Sequence, residues 1–230
     1  LTRPYQEVGI YGAAYKILEV LITLPILFMG LILPQLANSF ADNDKERFNR
    51  VLQKSWDGLC LFTLPMVAGT IILAKPIIKL IAGDSYANAA NVLQILIVAT
   101  GIIFLGSLFT HAIVAVNQQK NMILYYFLAA LLALGLYLYF IPIYSYYAAA
   151  LITVICELLI AIAAFIKVRQ KTYFKISLMI FIKAAVASLI MALALKILIA
   201  LPLIILVAAG AIIYGLILWI TKTLPHSLIS

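Results

Sequence analysis

The stretch ALITVICELLIAI, residues 150–162, carries one acid, Glu157, at the centre of a membrane-grade apolar run. A charge at the bilayer midplane costs about 3 kcal/mol on insertion scales. This carboxyl is therefore expected to face the interior of a helix bundle, where it is paired, hydrogen-bonded or held protonated. Two chemistries fit: a proton- or cation-coupling site, or a buried structural acid. Lys16 and Glu19 stand three residues apart, share a helix face and can pair. Tyr11 and Tyr15 add hydroxyls and rings beside them, so the cluster could line a polar cavity, or neutralise itself as a structural pair. Lys183 lies inside a later apolar run and could snorkel or present its charge to a cavity. Lys196 is on another face of the same run and snorkels. His111 reads as a structural hydrogen-bonder, with a proton relay as the sharper possibility. Cys60 and Cys156 both fall within apolar runs and read as small core residues rather than a disulfide or metal pair. No metal or cofactor site is expected.

These residues need a membrane scaffold. Of the 230 residues 66% are hydrophobic and 10% charged, and the mean hydropathy is +1.16, which leaves too little polar surface for a soluble domain. The formal charge of +8 could suggest nucleic acid, but the basic residues lie in short connections between apolar runs, as membrane orientation requires. Seven spans of one all-α membrane domain (residues 1–230) are expected, at 9–37, 56–74, 88–116, 122–141, 146–166, 176–201 and 203–221. Counting the connections, ten Lys and Arg fall on one side, from Lys45, Arg47, Arg50 and Lys54 through to Lys222. Three, Arg3, Lys75 and Lys79, fall on the other. The richer side is expected to be cytoplasmic. An odd number of spans would then place Leu1 outside, so further spans upstream are expected.

Pro25 and Pro34 interrupt the first span and Pro65 the second. Each removes a backbone hydrogen bond, and in a membrane the freed carbonyl must be met by protein or line a wet cavity. These three are the expected helix kinks. Asp57, beside Trp56, is expected to pair with Lys54 or Arg50 at the cytoplasmic interface. KPIIKLIAG reads as a short interfacial helix between Pro76 and Gly83, YLYFIPIYSYY as an outer aromatic belt, and Ala184, Ser188 and Ala192 as a stripe for close helix contact.

Taken together, VGIYGAAYKILEVLITLP with ILPQLA, then LPMVAG, then KPIIKLIAGDSYANAANVLQIL resemble the polysaccharide (O-antigen type) flippase family. That family belongs to the multidrug/oligosaccharidyl-lipid/polysaccharide exporter superfamily. The resemblance is strongest over residues 8–120, and Gly83 followed by Tyr86 and an Ala-rich helix start is its most characteristic piece. It implies the second lobe of a two-lobe transporter of the bacterial inner membrane, with the N-terminal lobe outside this sequence. The implied cargo is an undecaprenyl-diphosphate-linked oligosaccharide for surface polysaccharide, and the implied partners are that lipid-linked sugar and membrane lipid, not nucleic acid. The implied machinery is a partly cationic cavity between the lobes, open alternately to each side. In it Tyr11 and Tyr15 would offer hydroxyls or rings to sugar, and Lys183 would contact the diphosphate near the inner leaflet. A multidrug/cation antiporter of the same superfamily is the alternative reading, since it too relies on membrane carboxylates. An enzyme is not expected. Every connection is short, and the longest, NSFADNDKERFNR, holds no catalytic constellation.

Overall fold

The computed structural model describes residues 5–223, without the side chain of Gln6; Arg3 and His226 lie outside that range. Its elements are α1 (Tyr5–Ala41), α2 (Lys45–Ala82), a 3-10 turn (Asp84–Tyr86), α3 (Ala89–Ala115), α4 (Gln119–Thr172), α5 (Met179–Ile197) and α6 (Leu203–Ile220). All six helices are long and apolar enough to cross a membrane. The chain is an all-α polytopic membrane protein.

The expected fourth and fifth spans belong to one helix. At ~1.5 Å per residue, the 54 residues of α4 would run about 80 Å if straight, far beyond a bilayer core of ~30 Å. A single residue breaks it. Ser145 has φ 51° and ψ −135°, a conformation that L side chains avoid, and the helix turns back there on itself. Tyr125 on the first arm lies under Lys167 Nζ on the second, 5.3 Å from the ring centroid. Cys156 Sγ reaches the Ala129 carbonyl at 4.0 Å. The arms are therefore antiparallel, and each is long enough to cross. Ser145 Oγ also donates to the Glu7 carboxylate, tying the bend to the start of α1.

α3 is the post around which the others stand. Its most apolar stretch is 67% buried, against 17% for α1 and α4. It can be central because two glycines let neighbours approach. A Cβ at Gly101 would lie 2.7 Å from Val67 Cγ2 of α2, and one at Gly106 would lie 2.9 Å from Ala161 Cβ of α4. Met29, Leu36, Phe48, Leu52, Phe104 and Leu108 fill the space between α1, α2 and α3 at one end of the molecule. α5 lies against α2 through the expected stripe: Ala184, Ser188 and Ala192 are all buried, and Gly69 of α2 would set a Cβ 3.6 Å from Met191 Cε. α6 completes that side.

Helical order runs further than the sequence pattern suggests. The connection expected over 38–55 narrows to residues 42–44, because Asp44 accepts from the Arg47 amide at 2.9 Å and caps α2. KPIIKLIAG is not a separate interfacial helix but the last two turns of α2, with Pro76 inside it and Gly83 (φ 82°) just past its end. Tyr86, next in the motif, lies over Gly9, where a Cβ would meet its ring at 3.4 Å.

Cross-contacts sort the helix ends into two sets. Lys45 Nζ sits 5.7 Å from the Tyr173 ring, and Gln53 accepts from the Ser177 amide at 2.9 Å and donates to its carbonyl at 3.1 Å. At the opposite end, Glu7 meets Ser145 and Asn91 donates to the Tyr147 hydroxyl at 3.4 Å. The first set carries the basic residues. Asp57 lies near it but takes its hydrogen bond from Gln53 Nε2 at 2.8 Å. Among the described residues it makes no ion pair with Lys54 or Arg50, because the Gln53 amide lies one helical turn away on the same face.

The gap that one proline leaves is filled from another helix. Pro65 cannot donate to the Leu61 carbonyl four residues before it. The Tyr214 hydroxyl of α6 takes that place at 2.8 Å.

Candidate functional site

Two polar features stand at membrane depth, both involving α1. The first is a face of α1 that nothing in the described chain covers. Gly12, Lys16, Glu19 and Thr23 are exposed at spacings of four, three and four residues, the repeat of one helix face. Lys16 Nζ and Glu19 Oε2 pair at 3.6 Å, yet their side chains remain 78% and 52% accessible. An exposed pair of this kind contributes little to stability, and two charges facing lipid would be costly. Tyr11 and Tyr15 stack beside it, with ring centroids 5.6 Å apart, and both are only half-buried. The arrangement offers a cation, a carboxylate and two phenols on one side of a rigid helix, suited to hydrogen-bonding a polar guest.

The second feature is a cavity of about 220 Å³ between α1, α3 and the second arm of α4. Ile22, Pro25 and Ile26 form its α1 wall, and Ser107, Thr110, His111 and Glu157 supply the polar groups. Sequence reading singled out His111 and Glu157 separately; it could not show that they share a cavity, since they lie on different helices. Ser107 Oγ donates to the Phe104 carbonyl at 2.7 Å, and Thr110 Oγ1 to the Ser107 carbonyl at 3.1 Å. His111 Nδ1 lies 2.7 Å from the same Ser107 oxygen. A carbonyl can only accept, so Nδ1 carries the hydrogen and the neutral ring presents Nε2 as an acceptor. No hydrogen-bond or ion-pair partner reaches the Glu157 carboxyl among the described residues. Pro25 is buried and lines the cavity, whereas Pro34 is exposed.

Lys183 is not brought to either feature. Its Nζ donates to the Thr221 carbonyl at 3.3 Å, where a cation complements the C-terminal end of α6. Lys196 is exposed in the last turn of α5. Cys60 is buried, Cys156 half-buried, and both are free thiols. Among the described residues no group of His, Cys, Asp and Glu could hold a metal ion. The functional feature that sequence reading missed is the uncovered stripe as a whole. Its signal was available in the spacing of Gly12 and Thr23 with Lys16 and Glu19.

Comparison with known proteins narrows the class. The family model of the lipid II flippase MurJ matches residues 12–221. A solved structure, lipid II flippase MurJ in an inward closed conformation, superposes with a TM-score of 0.81 at 18% identity. That match covers 97% of this chain and 48% of the solved one, so the chain spans about half the length of the protein it resembles. No curated protein sequence matches the chain. The expected kinship with flippases of lipid-linked precursors holds, but the branch matched is the lipid II branch and not the O-antigen one. Degenerate apolar motifs are shared across the superfamily, which is why they did not separate the branches.

Proposed function

The chain belongs to the MurJ lipid II flippase family, and we propose that it forms one lobe of a flippase that carries lipid II across the inner membrane. On this reading the cargo is a peptidoglycan precursor, a polyprenyl diphosphate bearing sugar and peptide, in place of the O-antigen oligosaccharide expected from sequence. No bond is made or broken. The physical task is to pass a polar, anionic headgroup through a layer of low dielectric while the lipid tail stays in lipid.

The observation that carries the reading is the uncovered α1 face. Lys16 and Glu19 share a face of α1 with Gly12 and Thr23 and front open space where lipid would be unfavourable, with the half-buried rings of Tyr11 and Tyr15 beside them. A second lobe facing this stripe would enclose a polar cavity. In it Lys16 would meet the diphosphate by a charge-assisted bond, and the tyrosines would offer hydroxyls and ring faces to sugar. Glu19 holds Lys16 in place between cycles and releases it when a stronger anion arrives. Lys183, engaged with Thr221, would act on the outside of this cavity as a helix-end partner and not as a diphosphate ligand.

The test is complementation by the full-length gene. Under this reading it should restore growth to a strain depleted of its lipid II flippase, and Lys16→Ala should weaken that rescue at equal membrane level. Rescue of an O-antigen flippase mutant without rescue of the lipid II strain would return the cargo to the O-antigen branch.

A further inference from the structure

The cavity between α1, α3 and the second arm of α4 is separate from the uncovered α1 face, and its chemistry points elsewhere. Every polar hydrogen on its α3 wall is already committed. Ser107, Thr110 and His111 Nδ1 all donate to backbone carbonyls. What remains to face the cavity is acceptors alone: two hydroxyl oxygens, the imidazole Nε2 and the Glu157 carboxyl. No Lys or Arg lines it. A space built only of acceptors, one of them a carboxyl without a partner, is suited to a positively charged guest. At about 220 Å³ it also has room for several waters.

The register of the helices orders these groups. α3 and the second arm run in the same direction and touch at Gly106 and Ala161. From that contact Glu157 lies four residues toward the Ser145 bend, and His111 five residues toward the basic end. At ~1.5 Å per residue they stand about 13 Å apart along the axis, with Ser107 and Thr110 between them. His111 is also only four residues from the end of α3 at Ala115. The polar groups thus form a line from the basic end of the bundle to a carboxyl near mid-membrane.

We propose that Glu157 is a proton-binding site loaded through His111. His111 Nε2 takes a proton from the basic side while Nδ1–H stays on the Ser107 carbonyl. The imidazolium then gives its Nε2 proton to a cavity water, and that chain of waters delivers one to a Glu157 oxygen. The products are neutral imidazole and neutral carboxylic acid, and one proton has moved to mid-membrane. Loading removes a charge from a cavity that Pro25 of α1 also lines, which links it to the helix that carries the uncovered stripe. The other titratable groups near Glu157 are Tyr126 on the first arm and Cys156 beside it; the α1 wall contributes none.

The test needs no substrate, so its failure is distinguishable from failure of the lipid II reading. The full-length protein in nanodiscs is followed by infrared spectroscopy in the protonated-carboxyl region, with pH steps across about 5 to 9. A titrating carboxyl band is expected, absent in Glu157→Gln. In His111→Gln the same band should appear at least tenfold more slowly after a pH step, with free imidazole in the buffer restoring part of the rate. A band that persists in Glu157→Gln, no titrating band at all, or an unchanged rate in His111→Gln would each overturn the proposal. Should the variants fold poorly, dicyclohexylcarbodiimide, which modifies protonated membrane carboxyls, is applied to the unaltered protein. Its adduct should map to Glu157 and fade as pH rises; a pH-independent adduct, or none, counts against the site.

Discussion

Gly106→Ala sets two well-characterised effects against each other. In a helix interior, alanine is favoured over glycine by about 1 kcal/mol. At this position, however, the new methyl would stand 2.9 Å from Ala161 Cβ and 3.6 Å from its Cα. Ordinary carbon contacts begin near 3.5 Å, so α3 and α4 must separate by roughly half an ångström, and neither atom is the end of a flexible side chain. Overpacking of this kind costs about 1–3 kcal/mol. The clash should outweigh the propensity and leave a net loss of about 1 kcal/mol. Ala161→Gly alone should lose about 1 kcal/mol through propensity. The double variant moves the methyl from one helix to the other: the propensities cancel, the clash disappears, and stability should return close to the starting value. The cycle therefore predicts a coupling near 2 kcal/mol, far outside the ~0.5 kcal/mol expected of independent sites. Denaturant unfolding of the full-length protein in mixed micelles measures all four corners. Additive single effects, or a stabilised Gly106→Ala, would refute the close contact between these two helices.

Tyr214→Phe removes the donor from the Leu61 carbonyl and should cost about 1–3 kcal/mol by the same unfolding assay, as expected for an acceptor left unmatched away from water. Ser145→Ala keeps the unfavourable backbone and loses the bond to Glu7, so it should destabilise by about 1–2 kcal/mol; Ser145→Gly relieves the backbone and should be milder. Cysteines placed in the 42–44 and 173–178 connections should resist impermeant maleimide applied to intact cells, whereas one at Tyr144 should react. Labelling of both basic connections from outside would invert the orientation drawn from the ten-to-three count.

The membrane class and the position of most helices could be read from the chain because hydropathy acts locally. About twenty predominantly apolar residues in a row register as a span without knowledge of neighbours. Helix ends were less legible. The segment 38–55 is polar and looks like a loop, yet Asp44 caps it into helix almost at once. The α4 bend was expected near IPIYSYY, but a one-residue corner looks no different in sequence from a short loop. Lys16 and Glu19 could be paired from spacing alone, since both are on one helix. Glu157 and His111 could not, because the register of α3 against α4 is fixed by Gly106 and Ala161, two small residues that carry no pattern. The Lys183 partner was hidden for the same reason: a helix C-terminus offers bare carbonyls whatever its sequence.

The bond from Tyr214 to Leu61 also has a consequence for biogenesis. Leu61 enters the membrane well before Tyr214, with the Pro65 gap already beside it, and the hydroxyl that fills that gap arrives only when α6 has been made. Until then α2 carries an unmatched carbonyl in the bilayer. A ribosome that stops before residue 214 leaves a chain that has inserted but keeps this polar flaw. A quality-control protease that surveys membrane helices for exposed polarity would distinguish it from the finished protein. The Tyr214 hydroxyl thus marks a chain whose synthesis has passed α6.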